Sequence, residues 1–251
     1  MVQIPQESVA KTVENTAGLV QTRHNLLYPG QNSGAKRLKR FFADIVANAL
    51  VVFIRLITAP RAIWAGSEPV PRRRVYFANH TSNADFVLIW GILPAYLRRQ
   101  TRPVAASDYW LKSALRAFAG RDVFRAVLIN RDKDNRDPEE DPVAKMAAAL
   151  EDGDSLILFP EGLRNLTDEP VLPFKTGIYH LAKRMPEVDF VPTWINNLNS
   201  VLPKGEVVPV PLICTVTYGA PLHIKPNEER DAFLGRAREA LQALAAQTEG
   251  R

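Results

Sequence analysis

The sequence predicts a single α/β domain, a mixed and largely parallel β-sheet covered by helices, with an N-terminal membrane-associating helical segment in front of it. Two observations carry that prediction. From residue 75 onward, short apolar and β-branched runs alternate with longer runs of helical periodicity, the pattern of strands joined by helices. Before residue 75, clustered basic residues and two phenylalanines lead into an apolar run. The 251 residues suffice for one large domain with a sizeable core, and 46% apolar with 24% charged residues is a globular composition. No internal repeat or linker divides the chain, and the expected boundaries are a flexible arm over 1–35, the membrane-associating segment over 36–70 and the α/β domain over 71–251.

Residues 1–34 are polar and lack an apolar core, so no cleavable secretory signal is expected there. Lys36, Arg37, Lys39 and Arg40 then precede Phe41 and Phe42, and the ten residues 45–54 are apolar apart from Asn48. A spanning helix needs ~20 apolar residues, so a helix lying in the interface or dipping into one leaflet is expected, with its basic residues at lipid headgroups. A buried amphipathic helix of the core, with a solvated basic end, is the other reading. Residues 36–74 hold nine Lys or Arg and two acids, so the net charge of +5 is concentrated near the N-terminal end. An anionic membrane surface is the expected partner. Nucleic acid is not, because no zinc finger, helix-turn-helix or RNP-like pattern accompanies the basic cluster.

The expected strands after Arg72, Arg73 and Arg74 are 75–78, 103–106, 126–129, 155–159, 190–195 and 212–218. The expected helices are 85–97, 108–119, 142–150, 176–183 and 228–246, the third stopped by Gly153. Cys214 stands alone in an apolar, β-branched run and is expected to be core. It has no disulfide partner and completes no zinc-ribbon pattern. The four histidines are scattered, and no metal site is expected.

Chemistry concentrates where strands end. In Asn79-His80-Thr81-Ser82-Asn83-Ala84-Asp85, a histidine leaves a strand and an aspartate follows five positions later at a helix start, which Ser82 or Asn83 can cap. Such a turn lets Asp85 accept the Nδ1 proton of His80, leaving Nε2 as a general base. There is no Gly-x-Ser-x-Gly elbow and no reactive cysteine, so the pair suits activation of a substrate hydroxyl. An ordinary hydrogen-bonded histidine is the plainer reading of this segment alone. Backbone N–H groups at the helix start are the candidate oxyanion donors.

A second strand, beginning at Leu156, runs out into Phe159-Pro160-Glu161-Gly162-Leu163-Arg164. Ligands of open α/β sheets sit beyond the carboxyl ends of strands, so this segment and His80 are expected to meet. Arg164 offers paired donors to a phosphate, and Glu161 can hold that arginine or an acceptor hydroxyl. A turn closed by a structural ion pair is the alternative. Arg131, in Asn130-Arg131-Asp132-Lys133, again follows a strand and is a candidate second phosphate contact.

Together, Asn79-His80-x4-Asp85, Arg131, Phe159-Pro-Glu-Gly-Leu-Arg164 and Val191-Pro-Thr-Trp-Ile195 resemble, in order, the four motifs of the glycerolipid acyltransferases, which include the 1-acylglycerol-3-phosphate acyltransferases. The resemblance covers roughly residues 36–220, and Lys175-Thr-Gly177 looks like the Lys-x-Gly that follows the third motif. It implies transfer of a fatty acyl group from acyl-CoA or acyl carrier protein to the free hydroxyl of a lysophospholipid, foremost lysophosphatidate, without an acyl-enzyme. His80 would be the base and Asp85 its orienting partner. Arg131, Glu161, Gly162 and Arg164 would line the acceptor-phosphate site, and Pro192 would help shape the acyl or acceptor pocket. No cofactor is implied beyond the acyl thioester co-substrate, and the expected location is the cytoplasmic face of a membrane. Two departures from the family pattern bear on the acceptor: Leu163 replaces a commoner threonine, and Ala105-Ala106-Ser107 stands where a lysine is frequent. They leave open another acceptor, such as glycerol-3-phosphate, another lyso-lipid or a specialised metabolite. A non-catalytic membrane- or lipid-binding protein is the reading outside the enzyme class.

Overall fold

The computed structural model describes residues 31–130, 141–196 and 214–249. The described residues fall into two units, one ending at Ile45 and the other beginning at Val46. Helix α1 (Gln31–Thr58) contributes to both. In the first unit its exposed side chains include Leu38, Phe41, Phe42 and Ile45, and in the second Val46, Val52, Phe53 and Leu56. The helix therefore extends well beyond the ten-residue apolar run, and Gly34–Thr58 is long and apolar enough to cross a membrane by length and composition. Residues 31–35 belong to it rather than to the expected arm.

The described residues of the second unit form seven strands: β1 (Arg61–Trp64), β2 (Arg74–Ala78), β3 (Thr101–Ala106), β4 (Val127–Ile129), β5 (Ser155–Leu158), β6 (Asp189–Asn196) and β7 (Thr215–Tyr218). Their order across the sheet is β1-β7-β6-β2-β5-β3-β4. The neighbours from β6 through β4 are parallel, β7 is antiparallel to β6, and β1 is parallel to β7. The sheet is thus mixed and mostly parallel, as its sequence pattern predicts. β2 is buried at every residue, and β5 likewise. That explains why both read as continuous apolar runs rather than alternating ones: a parallel sheet covered on both faces has no solvent side. Helices α6 (Pro142–Glu151), α7 (Gly177–Arg184) and α8 (Arg230–Glu249) supply Leu150, Leu181 and Phe233 to the core around Phe77, Leu156 and Phe190.

The expected helix over 85–97 is two helices, α2 (Asp85–Ile92) and α3 (Ala95–Arg98). Pro94 stands between them as the N-cap of α3, where its missing N–H breaks no helical bond. The expected helix over 108–119 is likewise split into α4 (Ser107–Trp110) and α5 (Ala114–Phe118), with a π-helical turn at Ala119–Val123. Ser113 restarts the chain by accepting from the N–H of Arg116 at 3.3 Å.

The helical segment expected over 36–70 needs the larger correction. Helix α1 stops at Thr58, Ala59 takes φ +35°, and Arg61–Trp64 is an edge strand paired with β7. Four residues with only Ile63 β-branched carry little strand signal. The strand is fixed instead by a late partner and by Trp64 stacking on Tyr218 at 4.1 Å. Residues 212–213 of the last expected strand, and Arg131, lie outside the described residues.

Candidate active site

β2 and β5 are adjacent and parallel, so the segments following them leave the same edge of the sheet side by side. Asn79, the first residue past β2, is buried and pinned to β6. Its Nδ2 donates to the Ile195 carbonyl at 3.1 Å and its Oδ1 accepts from the Ile195 N–H at 2.8 Å. This amide clamp fixes where the chain leaves the sheet. It has no signature in a single sequence, because the partner lies 116 residues away.

The next residue, His80, is held from both sides by the segment after β5. Its N–H donates to Glu161 Oε1 at 2.9 Å, and its carbonyl accepts from the Asn165 N–H at 2.6 Å. The imidazole stacks on Phe159 with 4.3 Å between ring centres and 22° between planes. Its Nδ1 lies 2.9 Å from Asp85 Oδ2. That same oxygen accepts from the N–H groups of Thr81 at 2.7 Å and Ser82 at 2.8 Å. Asp85 is 0% exposed, whereas the His80 side chain is 20% exposed. A carboxylate oxygen can only accept, so the Nδ1 that meets it carries a hydrogen, and in the neutral imidazole that leaves Nε2 as the acceptor.

One expectation about this turn is corrected. Neither Ser82 nor Asn83 caps α2: the N-cap is Ala84, with no side-chain cap bond. Ser82 Oγ instead accepts from the Ala84 N–H at 3.2 Å, closing a local turn. The N–H groups of Thr81 and Ser82 serve Asp85, that of Ala84 serves Ser82, and that of Asp85 meets the Ser82 carbonyl at 3.2 Å.

Glu161 is 2% exposed, and both of its oxygens accept backbone N–H groups, Oε1 from His80 and Oε2 from Leu172 at 2.9 Å. It braces the loops; neither oxygen reaches out to pair Arg164. Burial raises its pKa, and the N–H groups of Leu172 and His80 pull it partly back. Replacing it by glutamine turns one acceptor into a donor facing a backbone N–H. The orphaned N–H costs about 1–3 kcal/mol, and removing the buried charge offsets part of that. Glu161→Gln is therefore expected to lower Tm by about 2–8 °C in thermal denaturation. An unchanged Tm would mean that these two bonds hold nothing in place.

Gly162 has φ +72°, a backbone demand that glycine meets without strain, and a Cβ there would also displace the flexible Lys175 side chain, whose Cε would lie 2.6 Å away. Arg164, two residues on and next to the Asn165 that clamps His80, is exposed. A cleft of about 440 Å³ beside this loop is lined by Glu161, Leu163, Leu172, Phe174, Lys175 and Thr176. Pro192 is elsewhere: it pairs with Phe77 inside the sheet, and its carbonyl accepts from the Gly219 N–H at 2.8 Å. The structure thus brings His80, Asp85, Glu161 and Gly162 together, carries Arg164 on the same loop, and leaves Pro192 as a sheet residue. Asn79, Phe159 and Asn165 position His80 without having been singled out for it.

A buried carboxylate beside a half-buried imidazole thus stands at the carboxyl edge of a parallel sheet, with an exposed arginine on the neighbouring loop. Residues 61–196 match the family model described as Acyltransferase, and the chain belongs to that family. It is 33% identical over 114 residues to a 1-acyl-sn-glycerol-3-phosphate acyltransferase of Haemophilus influenzae. That match takes in 44% of this chain and 42% of the relative's length. The fold is similar to the crystal structure of the 1-acyl-sn-glycerophosphate acyltransferase of Thermotoga maritima, with a TM-score of 0.63 and 19% identity over 94% of this chain and 89% of that one.

Proposed function

We propose that this protein is an O-acyltransferase that moves a fatty acyl group from an acyl thioester, acyl-CoA or acyl carrier protein, to the free hydroxyl of lysophosphatidate, forming phosphatidate. The observation that carries the reading is the 2.9 Å contact of His80 Nδ1 with an Asp85 oxygen held by two backbone N–H groups. Nε2 takes the acceptor's hydroxyl proton as its oxygen attacks the thioester carbonyl. The C–S bond then breaks, and the imidazolium returns the proton to the departing thiolate. Arg164 binds the acceptor phosphate, and Gly162 lets the loop approach it. Arg131 is proposed as a second phosphate contact and Pro192 as part of the pocket wall.

The apolar, solvent-facing side of α1 and the basic residues at its start support association with an anionic membrane surface, where a lysophospholipid resides. We place the protein on the cytoplasmic face, without a cofactor and without a nucleic-acid partner. We propose that α1 is the membrane segment and that the α/β domain begins at β1, in place of boundaries at 35 and 70.

The test is incubation of the purified protein, with vesicles, with labelled acyl-CoA and separately with labelled acyl carrier protein. The acceptors are lysophosphatidate, glycerol-3-phosphate and neutral lysolipids. Label in phosphatidate is expected. Label in a different product names another acceptor, and none with either donor returns the chain to the lipid-binding reading. In the same assay Arg164→Ala removes one charge-assisted phosphate contact and is expected to raise the KM for lysophosphatidate by about 10–100-fold with kcat little changed. A constant KM would take Arg164 out of the phosphate site.

A further inference from the structure

β3 is parallel to β5 and so ends at the same edge of the sheet as β2 and β5, the edge that carries His80 and Glu161. The segment that leaves β3 there lies largely open to solvent. From Asp108 to Arg116 every residue is exposed except the half-buried Trp110. Tyr109 and Leu111 are exposed, and Leu115, at 77%, is the most exposed large apolar side chain among the described residues. Lys112, Arg116 and Arg121 stand among them, against the single exposed acid Asp108. The Arg116 guanidinium lies over the Tyr109 ring at 4.6 Å. The half-buried face of the segment is anchored: Trp110 packs edge-on against Phe86 at 5.8 Å and Phe124 at 5.9 Å, and Gly120 lies against its indole.

Leucines displayed on a firmly packed short segment, ringed by lysine and arginine with a tyrosine between, match the chemistry of a lipid headgroup layer. The apolar tips gain by entering the acyl boundary, and the cations by meeting anionic phosphates. We infer that Tyr109, Leu111 and Leu115, with Lys112 and Arg116, form a second membrane contact, separate from α1, which seats the carboxyl edge of the sheet on an anionic bilayer. Its purpose rests on the proposed lipid acceptor: an edge pressed to the surface lets a lysophospholipid reach His80 without first leaving the membrane. A soluble acidic protein would meet the cations equally well, but it gives no reason for a leucine to stand out as far as Leu115 does.

The full-length Leu115→Cys variant can be labelled with an environment-sensitive fluorophore at that position, since the native Cys214 is fully buried. A blue shift and rise in intensity are expected on vesicles of phosphatidylglycerol and phosphatidylcholine in equal parts. Little change is expected on pure phosphatidylcholine, or with the label on the exposed Glu239 of α8 through Glu239→Cys. The paired substitution Leu111→Glu, Leu115→Glu is expected to lower turnover of a vesicle-borne lysolipid by about tenfold while sparing a short-chain, monomeric acceptor. No shift at position 115 on the mixed vesicles overturns the inference, as does a shift produced by an acidic carrier protein and not by vesicles. Insertion of position 115 without acyl transfer to any acceptor would keep this contact and sink the proposed reaction. Transfer without insertion would do the reverse.

Discussion

Replacing His80 by alanine is expected to lower kcat for acyl transfer by about 10²–10⁴-fold, the worth of a positioned general base. The size of the effect follows from what the substitution spares. The ties that fix this part of the chain run through the His80 backbone, to Glu161 and from Asn165, and alanine keeps both. Asp85 also keeps its two backbone donors. Lost are one hydrogen bond of about 1 kcal/mol and the stacking on Phe159, so the variant stays folded. Steady-state kinetics with lysophosphatidate, beside a melting curve, separate the two effects. A folded variant that keeps most of its turnover would sink the base mechanism.

Asp85→Asn is expected to cost nearly as much, up to about 10⁴-fold in kcat, with acceptor KM unchanged. One Asp85 oxygen receives three donors, two of them fixed backbone N–H groups. An asparagine must present its single oxygen to those N–H groups, so it still touches Nδ1, but without the negative charge that stabilises the imidazolium formed during transfer. Its NH₂ then occupies the place of Oδ1, a buried atom with no hydrogen-bond partner among the described residues. The variant should therefore also lose about 1–3 kcal/mol of stability, readable by denaturant unfolding. Full activity would show that Asp85 serves only the turn.

How much of this was legible in the sequence depended on how far apart the interacting residues are. The His80–Asp85 pair spans five positions, and the fully buried strands β2 and β5 announce themselves as apolar runs, so both could be read directly. Their meeting at one edge followed from the rule that parallel strands end together. Contacts settled by remote backbone were not readable: the Asn79 clamp on Ile195, the grip of Asn165 on the His80 carbonyl, and β1, whose partner strand begins at Thr215. Glu161 is instructive because a charged residue beside an arginine invites an ion pair. Only the fold places two N–H groups over its oxygens.

The framework of the reactive centre is held mainly by main-chain groups: N–H of His80 and Leu172 on Glu161, N–H of Thr81 and Ser82 on Asp85, N–H of Asn165 on the His80 carbonyl. Main-chain donors are common to every residue but proline. The side chains at positions 81 and 172 can therefore change during evolution without releasing His80 from Asp85. If the proposed acyl transfer takes place here, a lineage can vary the cleft residues Leu163, Leu172 and Lys175 and so try new acceptors while the His80–Asp85 pair stays as it is.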